Sequence, residues 1–358
     1  MFSQIAAVMR LELRKSFFSR RGLWIYLLAV GPALLYLIHA VDVTHDHERR
    51  QALLASHPVA TEALHSIQPE MTQEQVEKLL GQPYFRNDFQ TGRRRRGQEG
   101  GQDISIYRYT DGESDFTFFM VDGKVANVNE EDRCNLTKDS AIFATVFQFF
   151  YLRLAVFFGC VGIFTNLFRG EMLDKSLHFY LLAPMRREIL LAGKYLAGLS
   201  AAVAIFTLGT ALQIAALSWH FEPGQVAAYL QGTGWHDIAA YLGVTALACA
   251  GYGSIFLAAG LLFRNPILPA TVVMLWESIN LFLPAALKKI SVIFYLQALC
   301  PVVAAPEADT PALLRLLISS AELPPAWLSI LGLTVVMLAV LGVAAARARR
   351  LEINYGTE

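Results

Sequence analysis

Long apolar runs separated by short polar stretches dominate this chain. Each run reaches about 20 residues, the length that ~30 Å of hydrocarbon requires of a membrane-spanning helix. The alternative, buried helices of a large soluble core, would give runs of about 10 to 14 residues with polar faces. The pattern therefore predicts six transmembrane helices, at residues 22–41, 140–168, 195–219, 238–263, 266–287 and 325–346.

The stretch between the first two runs, residues 42–139, has the pattern of a folded domain. Thr72 followed by Gln75 is a capping-box signature, and Gly81 followed by Pro83 is a helix stop. An apolar face lies between these signals, formed by Val76, Leu79 and Leu80. The sequence predicts one short helix here and a further helix upstream, from Glu48 to His65.

Three strand-like runs follow in the same domain, ISIYRYT, SDFTFFMV and KVANVN. They are joined by Asp111-Gly112 and Asp122-Gly123, dipeptides that suit tight hairpin turns. The predicted fold class is an all-α polytopic membrane protein with six transmembrane helices. It carries a small α+β extracytoplasmic domain, in which helices pack on a three-stranded antiparallel meander.

The first 21 residues predict a helix that lies along the membrane surface. Apolar Ile5, Val8, Met9 and Leu13 recur at helical spacing, while the basic side chains point elsewhere. A simple positively charged flank of the first span is the alternative. No small-residue cleavage site follows, so we expect the first apolar run to remain as an anchor.

Composition agrees with a membrane protein and excludes several other classes. Of the 358 residues, 54% are hydrophobic and only 17% are charged, against about 25% charged in soluble proteins. The apolar fraction excludes disorder, and the zero net charge without a basic domain argues against nucleic-acid binding. The four cysteines lie far apart, without the spacing of a zinc site or a disulfide scaffold.

The short loops set the expected orientation. With the N-terminus inside, fourteen Lys and Arg of the short loops and termini are cytoplasmic, and only Lys288, Lys289 and Arg315 lie outside. Both termini are then cytoplasmic, and the tail is 347–358. We expect a multi-pass protein of the bacterial inner membrane, with residues 42–139 periplasmic or extracellular.

The loop at 169–194 is unusually apolar for a cytoplasmic connection. Leucines and aromatic residues alternate with charges before Pro184 interrupts the run. Such a segment needs another surface to cover it, and its position between two spans suits docking onto a soluble partner that moves.

At these residues the chain resembles the permease subunits of type 2 ABC exporters. The matching features are Glu171, Leu177 to Leu182, Ala183-Pro184, Arg187-Glu188 and Lys194. The resemblance covers roughly 1–41 and 140–350, and it makes 288–324 a re-entrant or interfacial outer segment. It implies ATPase-coupling roles for Arg169, Glu171, Leu177, Leu181, Pro184, Arg187 and Glu188.

The resemblance also implies partners. The sequence has no GxxxxGK[ST] phosphate loop, so the chain is expected to be no enzyme itself and to use a separate ABC ATPase subunit. A permease of this size supplies half a pathway, which implies a homodimer or a heterodimer with a related permease in the lipid bilayer. We expect no cofactor, no metal and no nucleic acid.

The inserted domain resembles a second family. The order MTQEQVEKLLGQPYF, then YRYTDGESDFTFFMVDGKVANV, is similar to the SmpA/OmlA (BamE-like) domain of envelope lipoproteins. This resemblance implies a module for contact with an envelope protein. The chain departs from the family in lacking a lipidated cysteine and in carrying Arg93 to Arg96, which form either a solvated loop or a patch for anionic lipid or an acidic partner.

Two charged residues fall within predicted spans, Arg153 and Glu277. A charge at that depth costs about 2.5 to 3.5 kcal/mol, so each should face protein or a water-filled path. They form either a polar site on a substrate pathway or structural contacts, with Glu277 bonded to neighbours such as Asn280 and Arg153 reaching toward the surface.

The sequence is compatible with three functions. The first is the permease subunit of an ABC exporter, which moves an unidentified substrate. The second is a membrane-anchored envelope assembly or sensor protein that acts through 42–139. The third is an ion-coupled carrier that uses Glu277.

Overall fold

The computed structural model describes residues 2–17, 22–91, 102–132, 135–173, 186–263, 265–302 and 323–350. The chain divides into two compact units. We call the first the helical unit; it contains Met1–Tyr36, Lys138–Ser218 and Glu222–Glu358. We call the second the inserted unit; it contains Leu37–Thr137 and Trp219–Phe221.

Most of the described chain is helical. It begins with α1 (Phe2–Phe17) and α2 (Leu23–Ser56), and the inserted unit adds α3 (Thr61–His65) and α4 (Gln73–Leu80). Helix α5 (Leu136–Val146) continues through a π-helical segment (Phe147–Val156) into α6 (Phe157–Leu173). The later helices are α7 (Arg187–Leu217), α8 (Pro223–Tyr229), α9 (Trp235–Leu262), α10 (Ile267–Ser278), α11 (Ala285–Lys288), α12 (Val292–Leu299) and α13 (Ala326–Arg349).

The lengths of the observed helices can be compared with the six predicted membrane spans. Within the described residues, five helices are long and apolar enough to cross a membrane: Leu23–Ser56, Leu136–Met172, Arg187–His220, Pro223–Leu262 and Ala326–Arg349. The predicted fifth span, 266–287, contains instead the twelve-residue helix α10, followed by a 3₁₀ turn and Pro284. At 1.5 Å per residue α10 is about 18 Å long, which is less than a bilayer core. Six spans therefore remain a proposal.

Several helices extend beyond the predicted runs. Helix α2 ends at Ser56 instead of near residue 41, and the helix predicted from Glu48 to His65 is the end of α2 followed by α3. The chain leaves helical geometry between them around Pro58, whose ring disfavours helix at the residue before it. A hydropathy pattern identifies only the apolar part of a helix, so it does not predict polar extensions of that helix.

The sheet of the inserted unit has four antiparallel strands and not three. Its order is β1 (Phe85–Thr91), β2 (Gln102–Thr110), β3 (Ser114–Val121) and β4 (Lys124–Asp132). The three predicted runs are β2, β3 and β4. Strand β1 pairs with β2, for instance Asn87 with Ile106. Its sequence, FRNDFQT, has no apolar alternation, which is why the pattern gave no strand there.

The local signals in the inserted unit form as predicted. Asp122 and Gly123 both have positive φ, 51° and 76°, as a two-residue turn of the I′ type between β3 and β4 requires. The capping box also forms, and the Thr72 N–H donates to the Gln75 Oε1 at 2.9 Å. Helix α4 ends at Leu80, and the next residue, Gly81, has a φ of 78° that is unfavourable for other residues.

The helices and the sheet of the inserted unit share one core. Strand β3 alternates strictly, with Ser114, Phe116, Phe118 and Met120 buried. The core also contains Leu64 of α3, Ile67, Val76 and Leu80 of α4, Tyr107 and Tyr109 of β2, and Val125 of β4. One face of the sheet is thus covered by helices, as expected for a two-layer α+β domain.

The core of the helical unit is aromatic and closely packed. Phe147, Tyr151, Phe157, Tyr252 and Phe256 are fully buried or nearly so. Glycines let helices approach closely, as in membrane bundles. A Cβ at Gly260 of α9 would lie 2.9 Å from the carbonyl oxygen of Thr165 in α6, so no larger residue fits without movement.

Candidate functional site

A buried ion cluster joins three helices of the helical unit. The Lys194 Nζ of α7 lies 2.6 Å from the Glu12 Oε1 of α1 and 2.8 Å from the Glu171 Oε2 of α6. It also donates to the Leu167 carbonyl at 2.8 Å. The Lys194 side chain is 0% exposed, and the two carboxylates are almost as deeply buried. Buried charges are tolerated only when paired and hydrogen-bonded, so this cluster fixes α1 against both flanking helices.

The sequence of α1 explains how it reaches the cluster. Val8 and Glu12 are four residues apart and lie on one helical face. Val8 packs over Gly193, where an added Cβ would lie 2.9 Å from the Val8 Cβ. The glycine admits the close approach that brings Glu12 to the next residue, Lys194.

A second contact lies at the start of α7. Arg187 Nη1 donates to the Arg349 carbonyl at 2.9 Å, and Glu188 forms an ion pair with the Arg349 side chain. Because Arg349 is the last residue of α13, this end of α13 lies beside the start of α7. The Glu188–Arg349 pair is exposed, so water and salt weaken it.

These contacts locate part of the predicted coupling set. Arg169 and Glu171 lie in the last turns of α6, and Arg187 and Glu188 open α7. The Glu171 carboxylate is buried against Lys194. The three remaining members, Leu177, Leu181 and Pro184, lie outside the described residues, as do Arg93 to Arg96.

Glu277 is a buried helix cap. Its carboxylate accepts hydrogen bonds from Ser291 Oγ at 2.5 Å, Val292 N at 2.9 Å and Ile293 N at 3.1 Å. These donors form the N-terminus of α12, where the helix dipole favours a negative charge. The structural alternative expected hydrogen bonds to neighbours such as Asn280. The described contacts of the Glu277 carboxylate run to residues 291–293 instead.

Arg153 lies in the π-helical segment between α5 and α6. Its guanidinium stacks over the Phe149 ring, with 5.1 Å to the centroid. Nε and Nη2 are buried, and neither has a hydrogen-bond partner among the described residues. The apolar run around Arg153 predicts a helix, but no feature of the sequence indicates its π-helical geometry.

The inserted unit has a polar cluster that the sequence pattern did not reveal. Glu77 of α4 accepts hydrogen bonds at Oε1 from Tyr107 OH at 3.0 Å and from Gln73 Nε2 at 3.1 Å. Arg86 of β1 lies 3.6 Å from the same oxygen and stacks over the Tyr107 ring. Burial, and then the hydrogen bond to Glu77, raise the pKa of Tyr107 to about 12. The cluster ties α4 to the sheet.

The sheet face turned away from this core is partly apolar. Register places the side chains of Phe89, Ile104 and Val121 in one row across three strands. Ile106 and Phe119 extend the same face, and Phe85 lies at its edge. Phe85 and Phe89 are 43% and 39% exposed, so this surface suits a protein contact.

Comparison with known proteins identifies part of the inserted unit. Residues 58–94 match the family model described as the outer membrane protein assembly factor BamE domain. The matched segment contains α3, α4 and β1, so the predicted BamE-like domain is present. No curated protein and no solved structure matches the chain.

Proposed function

We propose that this chain is the permease subunit of an ABC exporter of the type 2 class, driven by a separate ATPase subunit. Its substrate crosses the cytoplasmic membrane, and both chain termini face the cytoplasm. Two permease copies, identical or related, form the pathway. The inserted BamE domain faces the periplasm or the exterior and contacts an envelope protein.

The observation that carries this proposal is the buried cluster of Glu12, Glu171 and Lys194. A segment that transmits force from an ATPase must be anchored at both ends, because a loosely held loop would absorb the movement. Glu171 and Lys194 lie on the two helices that flank residues 174–185. Their ion pairs hold α1, α6 and α7 together, so that both ends of residues 174–185 are attached to the same rigid group of helices.

Charge placement gives further support. The basic residues Arg187 and Arg349 lie at the same end of the helical unit, beside the start of α7. Cations cluster at the cytoplasmic ends of membrane helices. Closure of the ATPase subunits would push residues 169–188 and tilt α6 and α7, which opens the pathway outward.

The test is co-purification with a protein that carries a nucleotide phosphate loop. Leu177→Asp together with Leu181→Asp would place charge in a desolvated contact, and we expect at least a tenfold loss of bound ATPase. The matched control is Leu79→Asp in the inserted unit, an exposed leucine whose change should leave the complex intact. If the double variant inserts normally and retains the ATPase at wild-type stoichiometry, the coupling role is wrong.

A second candidate is an envelope assembly protein in which the helical unit serves as the anchor. The BamE match and the half-exposed apolar sheet face favour it. The same purification separates the two, because an assembly protein would retain an envelope partner and no ATPase. Phe85→Ser with Phe89→Ser should then release that partner, whereas an exporter would keep its ATPase with this variant.

A further inference from the structure

Strand β1 forms one edge of the sheet in the inserted unit. Its single neighbour among the described residues is β2, so its other side presents backbone N–H and C=O groups for pairing. All five residues from Phe85 to Phe89 are exposed. An open edge of this kind can accept another strand, and proteins normally block it with charge, a bulge or a covering segment.

The opposite edge of the sheet, β4, is blocked in this way. At its start, Val125 N donates to the Met71 carbonyl at 2.9 Å, so a neighbouring segment covers this part of the strand. Residues 126–132, which complete the strand, contain three acidic side chains at 130–132 and no Lys or Arg. A second copy of this acidic strand would be repelled.

The sequence of β1 is instead complementary to itself. Residues 85–89 read FRNDF, so an antiparallel copy centred on Asn87 pairs the strand with its own reversed order. Phe85 then lies opposite Phe89 of the second copy. Arg86 lies opposite Asp88 of that copy, and two-fold symmetry repeats both pairs. Aromatic pairs and opposite charges across antiparallel strands are stabilising.

The folded strand presents these side chains as the pairing requires. Arg86 stacks over Tyr107 on the helix-covered face of the sheet, so Phe85 and Phe89 lie on the uncovered face. Arg86 Nε and Asp88 Oδ2 are 2.9 Å apart, and both side chains are about half exposed. A second copy would therefore meet a cation and an anion on one face and two aromatic rings on the other.

The charge order favours an identical chain over an unrelated strand. A strand with charges of a single sign would be repelled by either Arg86 or Asp88. An apolar strand would cover both charges without offering opposite charges of its own. A partner with an acid and a base two residues apart satisfies both, and a second copy of β1 supplies that pair.

We propose that the inserted units of two identical chains pair through β1, antiparallel and centred on Asn87, so that two four-stranded sheets become one continuous sheet. Single cross-strand pairs contribute little, but two chains in one membrane assembly hold the strands at a high effective concentration. The interface rests on the proposed function only for the presence of two copies, and it requires them to be identical.

Cross-linking of the full chain in its membrane tests the pairing. Residue 87 would lie opposite itself, and opposed Cα atoms of antiparallel strands are about 4.5–5.5 Å apart, within the range of a disulfide. We expect Asn87→Cys, in a Cys134→Ser background, to form a disulfide-linked dimer on oxidation with copper phenanthroline. The matched control is Asn127→Cys, at the other end of the same row of side chains on β4 and also exposed, which should give roughly fivefold less dimer.

Charge reversal tests the register. Arg86→Asp alone gives β1 two acids, and Asp88→Arg alone gives it two bases, so each variant combined with Asn87→Cys should lose most of the cross-link. When the two variant chains are expressed together with different tags, the cross-link between them should return, because every acid then lies opposite a base. An effect within one chain cannot produce this recovery, since neither chain carries both charges at these positions.

The variants are compared at equal amounts in the membrane. The proposal is wrong if Asn87→Cys cross-links no more than Asn127→Cys, or if the mixed charge variants cross-link no better than each does alone. A disulfide from Asn87→Cys to a different envelope protein, in place of a second copy, would assign the edge to that protein instead. Because the measurement needs no ATPase, a failed cross-link leaves the coupling proposal untouched, and loss of coupling leaves this cross-link intact.

Discussion

The charged clusters described in the two units differ in how deeply they are buried. In the inserted unit, Glu77, Arg86 and Asp88 pair with protein groups near or at the surface, where solvent also reaches them, and the clustered core is apolar and aromatic. In the helical unit, Lys194 and Glu277 are buried and held by protein groups. A buried charge in the helical unit needs a protein partner, so Lys194 and Glu277 each mark a contact between helices.

The units also differ in how their folds are specified. Tight turns and a capping box specify the helix and strand ends of the inserted unit, and each depends on residues that are close in the sequence. The helical unit depends on contacts between residues far apart in the chain, such as Glu12 with Lys194. We therefore expect single substitutions to lower the stability of the two units independently and by different mechanisms.

The largest expected effect is from Lys194→Met. It leaves two buried carboxylates without their cation, which should lower the stability of the helical unit by about 3–5 kcal/mol. Thermal unfolding in detergent, followed by size-exclusion chromatography, measures this. Protection of the strand amides in the inserted unit should not change.

The control for this prediction replaces the whole cluster. Glu12→Leu, Glu171→Leu and Lys194→Met together remove all three charges, and most of the lost stability should return, because no unpaired charge remains. If Lys194→Met alone is as stable as wild type, the cluster does not fix α1. The proposed difference between the units in the role of buried charge would then be wrong.

The next effect is in the inserted unit, from Phe118→Ala. Phe118 is fully buried in the core of the sheet, and its loss should cost about 3–4 kcal/mol. The matched control is the neighbouring Phe119→Ala, whose side chain is half-buried on the other face and should cost clearly less. Hydrogen exchange of strand amides in the full chain reports both. Equal effects from the two variants would contradict the two-layer description.

The smallest effect is a pH dependence of the inserted unit. The raised pKa of Tyr107, about 12 against 10.0 in the unfolded chain, means that folding favours the neutral phenol. This stabilisation is fully present below about pH 10 and is lost as the pH rises toward 12. Tyr107→Phe should reduce that alkaline loss.

The alkaline loss of stability can be measured by thiol labelling of a Val125→Cys variant. Position 125 is buried, so a cysteine there reacts only when the inserted unit opens. Its labelling rate should rise between pH 10 and 12, and it should rise less when Tyr107→Phe is also present. An identical rise in both proteins would assign the effect to another tyrosine.

The candidate sites could be predicted only in part. Arg153 and Glu277 were recognisable because a charge within an apolar run is conspicuous. Glu12 was not, since it lies among other charges near the N-terminus. Its role follows from Val8, Gly193 and the approach of α1 to α7, which no local pattern encodes.

Local sequence is sufficient to predict the long apolar helices, the helical cap at Thr72 and the hairpins at Gly112 and Gly123. These depend on the length of hydrocarbon to be crossed and on backbone geometry within a few residues. Tertiary structure alone accounts for the formation of β1, a polar strand that forms because β2 offers it hydrogen bonds. It also decided the partners of Lys194 and Glu277, because the energy of a buried charge depends on groups that only the folded chain brings within 3 Å or so.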